Sequence, residues 1–290
     1  MKEVQFYTQS DVQYYRGGYA AVNFYNDHCL KRREKYDFKI DEKYQKYVDQ
    51  INDMGYSKID NFFDLNKLEQ FKKHVAEKFK NKENTKFTQN NCHEQIIEPY
   101  LNAQYTLDIA TDERIIKIAS AFFNCMPGLG TCNLRKSFPT NNPPAGTNMF
   151  HRDFNSPVKL LKFFVYLNDV DINNGPFTYV EGSNRQVPAN PHWTQYHRWP
   201  DDQIEKVYGK NRIKYLTANY GDLLIATTNG FHKGLQIKQG ERTMFTINYL
   251  IHPEIEGGNL SKAKKFYVNQ TTVDALPDWK KPVTDFLIKV

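Results

Sequence analysis

The chain of 290 residues has only four cysteines, Cys29, Cys92, Cys125 and Cys132. No Cys-x-x-Cys pair is among them, so neither a cysteine zinc site nor a small disulfide framework is encoded. Free thiols are the pattern of a reducing compartment. Glycine (15) and proline (13) are too sparse for a collagen-like or low-complexity chain. Long apolar runs are missing too. Phe163–Leu167 is far short of a bilayer span, and Met1–Tyr15 has no apolar stretch of signal-peptide type. Nor is charge of one sign concentrated. Lys plus Arg (39) exceed Asp plus Glu (33) by only six, and the lysines are interleaved with acids, so no nucleic-acid footprint is present. These absences predict a cytoplasmic protein whose partner is a small molecule, with no nucleic acid and no membrane.

Aromatic bulk, by contrast, is plentiful: 20 Phe, 19 Tyr and 3 Trp supply a sizeable core. Residues 1 to about 40 are polar, Tyr-rich and without a clear period. Residues 42–53 read as a helix, and Tyr56–Phe63 as a short strand. Asp64 is a candidate N-cap for a helix whose apolar face is Leu65, Leu68, Phe71, Val75 and Phe79. Residues 80–91 read as a polar loop, and a second helix starts near Thr111. After Pro127 the texture changes to short β-type runs at 132–138, 147–152, 159–167, 176–181, 213–218, 222–227 and 241–251, divided by turn signals. Helices first and short strands after predict helices packed on one side of a β-sandwich or barrel. The aromatic segment 188–212 interrupts the strand series. It reads as an insertion over the barrel mouth, in which Trp193, Tyr196, His197 and Arg198 are candidate substrate contacts.

The chemistry concentrates in four residues. His151-Arg152-Asp153 spells His-x-Asp at the end of a strand-like run, and residues i and i+2 of an extended chain share a face. His232 opens a later strand-like segment. Two His and one carboxylate form a facial triad that leaves three octahedral positions open, which suits Fe(II) that must also bind a cosubstrate and O2. Arg242 follows in the next strand. Its planar fork can clamp a carboxylate, as a dicarboxylic keto acid would require. The same His-Arg-Asp triplet occurs in protein kinases, but position 158 is Val and no Asp-Phe-Gly follows.

Phe150–Phe154, Leu160–Asp169, Asn174–Phe177 and Val180–Arg185, with Gly221–Ile225, Phe231–Gly234 and Arg242, resemble the phytanoyl-CoA dioxygenase-like family. Gly55-Tyr56 and Ile59–Phe63 are similar to that family's opening segment. The resemblance implies a mainly β fold with flanking helices, a double-stranded β-helix or jelly roll with N-terminal helices on one face. It implies an oxygenase domain over 45–252, with a helical part at 45–126, a β-helix core at 127–252 and a lid at 188–212. Extensions of 1–44 and 253–290 flank that domain. It further implies Fe(II), 2-oxoglutarate and O2 as cofactors, His151, Asp153 and His232 as metal ligands and catalytic residues, and Arg242 as the grip on the cosubstrate. The implied reaction is hydroxylation, or another oxidation, of an unactivated C–H bond of a small organic substrate, with release of succinate and CO2. The competing expectation is a non-catalytic metal or small-acid sensor on the same fold.

Overall fold

The computed structural model describes residues 17–37, 40–88, 92–154, 156, 158–188, 197–256 and 259–290. Helix α1 (Gly18–Lys35) buries Ala21, Val22, Tyr25, Cys29 and Arg32, so the N-terminal region packs on the body through this helix. Helix α2 (Gln45–Met54) ends at Gly55, whose φ of 94° is a left-handed conformation open to glycine at little cost. Strand β1 (Tyr56–Ile59) follows. Helix α3 (Leu65–Asn81) is capped as expected: the Asp64 carboxylate accepts the N–H groups of Asn66 and Lys67. Its buried face is Leu68, Phe71, Val75 and Phe79, the helical period written in the sequence. Leu65, read into the same face, is exposed.

The expected loop at 80–91 instead contains strand β2 (Thr85–Thr88), which pairs with β3 (His93–Ile96). β2 is the outermost strand of its sheet. Its polar sequence belongs to an edge exposed on both faces. Two short helices, α4 (Pro99–Asn102) and α5 (Thr106–Ala110), lead to α6 (Glu113–Phe123), which is capped by Asp112.

The β-rich half comprises β4 (Gly128–Ser137), β5 (Leu161–Tyr166), β6 (Phe177–Val180), helix α7 (Asp201–Tyr208), β7 (Ile213–Leu216), β8 (Leu223–Ala226), β9 (His232–Gly234) and β10 (Arg242–Leu250). A further expectation fails at 147–152. That stretch is a short 3-10 turn, Gly146–Asn148, followed by isolated pairings at Phe150 and His151. The Asn148 side chain donates to the Gly234 carbonyl, replacing a ladder bond with a side-chain bond. The C-terminal part adds β11 (Ile255–Glu256), β12 (Asn259–Ala263), β13 (Tyr267–Val268), α8 (Gln270–Asp274) and β14 (Ile288–Lys289).

Among the described residues, a seven-stranded sheet runs β1-β8-β5-β10-β4-β3-β2, and a three-stranded sheet runs β7-β6-β9. Alternation along the strands separates two interiors. Phe163, Val165, Phe245 and Ile247 point outward to meet Phe71 and Ile115 of the helices, in one core that also takes in Val268, Val283 and Leu287 of the C-terminal part. Phe164, Tyr166 and Leu224 point inward, against Phe177 and Tyr179 of the smaller sheet. Two facing antiparallel sheets, with helices on the outside of the larger, form the expected jelly roll. No helix among the described residues is long and apolar enough to cross a membrane.

Candidate metal centre

His151 and His232 are direct cross-strand partners. Each main-chain N–H donates to the other's carbonyl at 2.9 Å. The Asp153 N–H donates to the Thr228 carbonyl, also at 2.9 Å. Two short stretches, 151–153 and 228–232, are thereby fixed side by side. Each imidazole also makes the same local bond: Nδ1 of His151 lies 2.9 Å from the Met149 carbonyl and Nδ1 of His232 lies 3.0 Å from the Gly230 carbonyl. A carbonyl can only accept, so Nδ1 carries the proton and each Nε2 presents a lone pair.

Those Nε2 atoms lie 4.0 Å (His151) and 3.5 Å (His232) from the Asp153 carboxylate. All three ligand atoms fall within 4.8 Å of one another. Such a set shares a point within about 3 Å of each atom, near the roughly 2.0–2.2 Å of nitrogen and oxygen ligand bonds. The donor set therefore fits a divalent metal. Protonation suits it as well. Burial, the second imidazole and the Arg198 guanidinium push His151 well below its ordinary range, leaving it neutral. Burial would raise Asp153, but Lys162 and His232 outweigh it and hold the carboxyl well below the usual range. Lys162 Nζ sits 2.6 Å from Asp153 Oδ2.

The triad opens into a cavity of about 130 Å³ that Arg242, Thr246 and Phe164 also line. Nε and Nη1 of Arg242 are buried there without a hydrogen-bond partner. Unpaired buried guanidinium atoms are costly, so an acidic ligand at this place fits the residues present. Gly234 lies against this guanidinium: a Cβ built on it would stand 3.4 Å from Arg242 Nη2.

Other polar side chains of these strands are engaged elsewhere. The Tyr166 hydroxyl accepts the Phe177 N–H, Asn168 accepts the Thr243 N–H, and the Thr178 hydroxyl donates to the Pro176 carbonyl. Arg152 is buried, with its guanidinium donating to the Asn229 carbonyl. Trp193 and Tyr196 lie outside the described residues. His197 is exposed and meets Trp199 edge-on at 5.0 Å. Arg198 is close enough for its charge to act on His151. Residues 197–212 are anchored to the barrel. Trp199 is fully buried and paired with Phe150, while Ile204 and Tyr208 of α7 pack on Phe231.

The cavity residues not singled out as site residues from sequence include Asn133, Arg135 and Lys162. Arg135 and Lys136 are neighbours on β4. The structure separates these two, since Lys136 pairs with Glu241 at 2.8 Å and does not line the cavity. Strand alternation carries the signal, because Leu134 and Cys132 are core residues on the helix side and 133 and 135 must face inward.

Solved structures share the fold. The non-haem α-ketoglutarate-dependent carbocyclase SnoK from nogalamycin biosynthesis aligns with a TM-score of 0.60 at 14% identity, over 74% of this chain and 87% of that one. EctD from S. alaskensis, solved with 2-oxoglutarate and 5-hydroxyectoine, aligns at 0.58 and 15%, over 76% and 80%. HygX from Streptomyces hygroscopicus, solved with nickel, 2-oxoglutarate and hygromycin B, aligns at 0.52 and 14%, over 71% and 86%. No curated protein matches the sequence significantly. The family model for phytanoyl-CoA dioxygenase matches residues 51–243, a span that holds the triad and Arg242. The chain belongs to the phytanoyl-CoA dioxygenase family.

Proposed function

We propose that this chain is a non-haem Fe(II)- and 2-oxoglutarate-dependent oxygenase that hydroxylates or otherwise oxidises an unactivated C–H bond of a small organic molecule. One observation carries the reading: the three candidate ligand atoms lie within 4.8 Å of one another in the cavity where Nε and Nη1 of Arg242 are buried without a hydrogen-bond partner. His151, Asp153 and His232 would hold the metal, and Arg242 the distal carboxylate of 2-oxoglutarate. Iron, when bound, supplies O2 activation coupled to decarboxylation of 2-oxoglutarate.

The chain's own residues supply placement. The Met149 and Gly230 carbonyls orient the imidazoles, and Lys162 fixes the rotation of the Asp153 carboxylate. Phe164 and Phe177 wall the cavity with apolar surface that excludes water. The proposed oxygenase unit spans 45–252. Within the insertion, His197 and Arg198 are the described candidates for contact with substrate.

The test is succinate release from 2-oxoglutarate by the Fe(II)-loaded protein in air, with D153A as the inactive control. Slow uncoupled release that candidate substrates accelerate supports an oxygenase. Tight binding of metal and 2-oxoglutarate with no succinate under any substrate would instead make the chain a sensor.

A further inference from the structure

The inward face of the large sheet carries a second buried cation beside Arg242, Arg135, lining the same cavity. Arg135 projects from β4 opposite Met244 of β10 and Gln95 of β3. Its Nε is buried with no hydrogen-bond partner. Arg242 stands two residues along the ladder, opposite Ser137. The two guanidiniums are therefore diagonal neighbours. Each repels the other's charge, and burial together with Arg242 pulls Arg135 down to about 10, which still leaves it charged at neutral pH.

The register sets a scale along β10. Arg242 marks one end of the cavity. Lys162, which holds Asp153, pairs opposite Asn248 at the metal end. Arg135 lies at the level of Met244, between those ends but one strand over. The line from the triad to Arg242, along which 2-oxoglutarate would be held, runs with β10, and Arg135 stands off that line on β4. The cavity offers no acid to match. Asp153 is the one carboxylate among its described lining residues, and Lys162 already pairs with it. His93, next to both arginines, is pushed down to about 4 by burial and by their charges, so it is neutral and adds no counter-charge.

Resting on the oxygenase reading above, we infer that Arg135 binds an anionic group of the substrate, a carboxylate or sulfate-like oxyanion, and that the enzyme selects acidic over neutral substrates. The fork of Arg135 fixes the orientation of such a group beside the cosubstrate, and the bond to be oxidised is then the one that this anchor places at the metal.

The experiment uses full-length protein loaded with Mn(II) and saturating 2-oxoglutarate, with sulfate and acetate as probes. Each is titrated at fixed ionic strength and read as a rise in melting temperature. The wild type is expected to respond saturably. In R135Q the half-saturating concentration should rise at least tenfold, while K136Q, which alters a neighbouring cation outside the cavity, should respond as wild type. R135K should fall between, since it keeps the charge and loses the fork. A response that appears only when 2-oxoglutarate is left out of a parallel titration would place the anion at Arg242 and overturn the inference. So would a response retained in R135Q, the absence of any response in wild type, or a loss of 2-oxoglutarate affinity in R135Q as large as that in R242K. Failure of Mn(II) and 2-oxoglutarate to bind at all would instead bring down the oxygenase reading.

Discussion

His151 and His232 hold one another in register: two main-chain hydrogen bonds of 2.9 Å join them, and their ring centroids are 4.2 Å apart. This pairing brings together residues far apart in sequence and aims both Nε2 atoms at Asp153. The metal site is thus built into the backbone ladder, and its side chains need little rearrangement to bind an ion. H151A and H232A should fold and melt near the wild-type temperature. Their affinity for Mn(II) should fall by more than the roughly 10–100-fold that changes behind the ligands cost. Calorimetric titration measures it, and unchanged affinity in either variant would remove that residue from the ligand set.

Lys162 gives a prediction of opposite sense. Its ammonium is the partner of Asp153 in the metal-free protein, in a pair only about one-sixth exposed at each side chain. K162M leaves that carboxylate without a cation. The metal-free protein should lose on the order of 2 kcal/mol, less than a fully buried pair would cost. Mn(II) should then stabilise K162M more than it stabilises wild type, because the ion replaces the missing charge and no longer meets a competing one. Melting curves with and without metal check both halves. A smaller metal-induced shift in the variant would refute the account.

Arg242 is expected to act through its fork. R242K keeps a charge but cannot make two parallel bonds to one carboxylate, so 2-oxoglutarate affinity should drop roughly 10–100-fold. Binding to the Mn(II)-loaded protein is the readout, and Mn(II) affinity itself should stay unchanged.

The stability of the fold should fall in mild acid through His252. This residue is fully buried, its Nδ1 donates to the Pro253 carbonyl, and its Nε2 accepts the Ser156 hydroxyl at 2.9 Å. Burial lowers it from 6.5 to about 4; His28 and Glu254 are its titratable neighbours. As the pH drops below 6.5, the unfolded chain takes up a proton that the folded chain refuses until about pH 4. Stability is therefore full above pH 6.5 and lost across that window, by about 3 kcal/mol. His93 and His151 act in the same direction, so the test is a comparison. The urea midpoint of H252Q should fall less between pH 7.5 and pH 5 than that of wild type.

Much of this was legible in the sequence, and the exceptions have physical causes. The grouping of His151, Asp153, His232 and Arg242 in one cavity could be read because metal and carboxylate chemistry demand particular side chains at particular offsets. Helix α3 could be read because its face is aliphatic and aromatic at a strict helical period. Helix α1 could not, since its buried stripe runs through Tyr25, Cys29 and Arg32, and Arg32 is buried by donating to the Pro127 carbonyl. Lys162 and Arg135 were missed as site residues for a related reason. A charged residue alternating with apolar ones on a strand reads as facing solvent, yet both faces of this sheet are covered. Only the second sheet, packed against the inner face, turns those positions into cavity wall.

Gly230 provides a test of how tightly the loop before β9 controls the metal site. Its carbonyl accepts the His232 Nδ1–H. A Cβ built on it would lie 2.0 Å from the Tyr179 hydroxyl oxygen and 2.8 Å from Ser183 Oγ. Neither neighbour is free to yield. The Tyr179 hydroxyl donates to the Thr227 carbonyl at 2.8 Å, and Ser183 Oγ accepts the Phe231 N–H at 2.8 Å. G230A must therefore shift the loop, and the Gly230 carbonyl moves with it. Overpacking of this kind costs about 1–3 kcal/mol. The shift also releases the bond that fixes the His232 tautomer, so Mn(II) affinity should fall roughly 10–100-fold although no ligand has been changed. G209A provides the comparison, since it substitutes another tightly placed glycine, with φ of 82°, whose Cβ neighbour is the Asn211 side chain. G209A should lose stability and keep its metal affinity. Equal metal affinity in both variants would mean that the Gly230 carbonyl does not hold the imidazole in place.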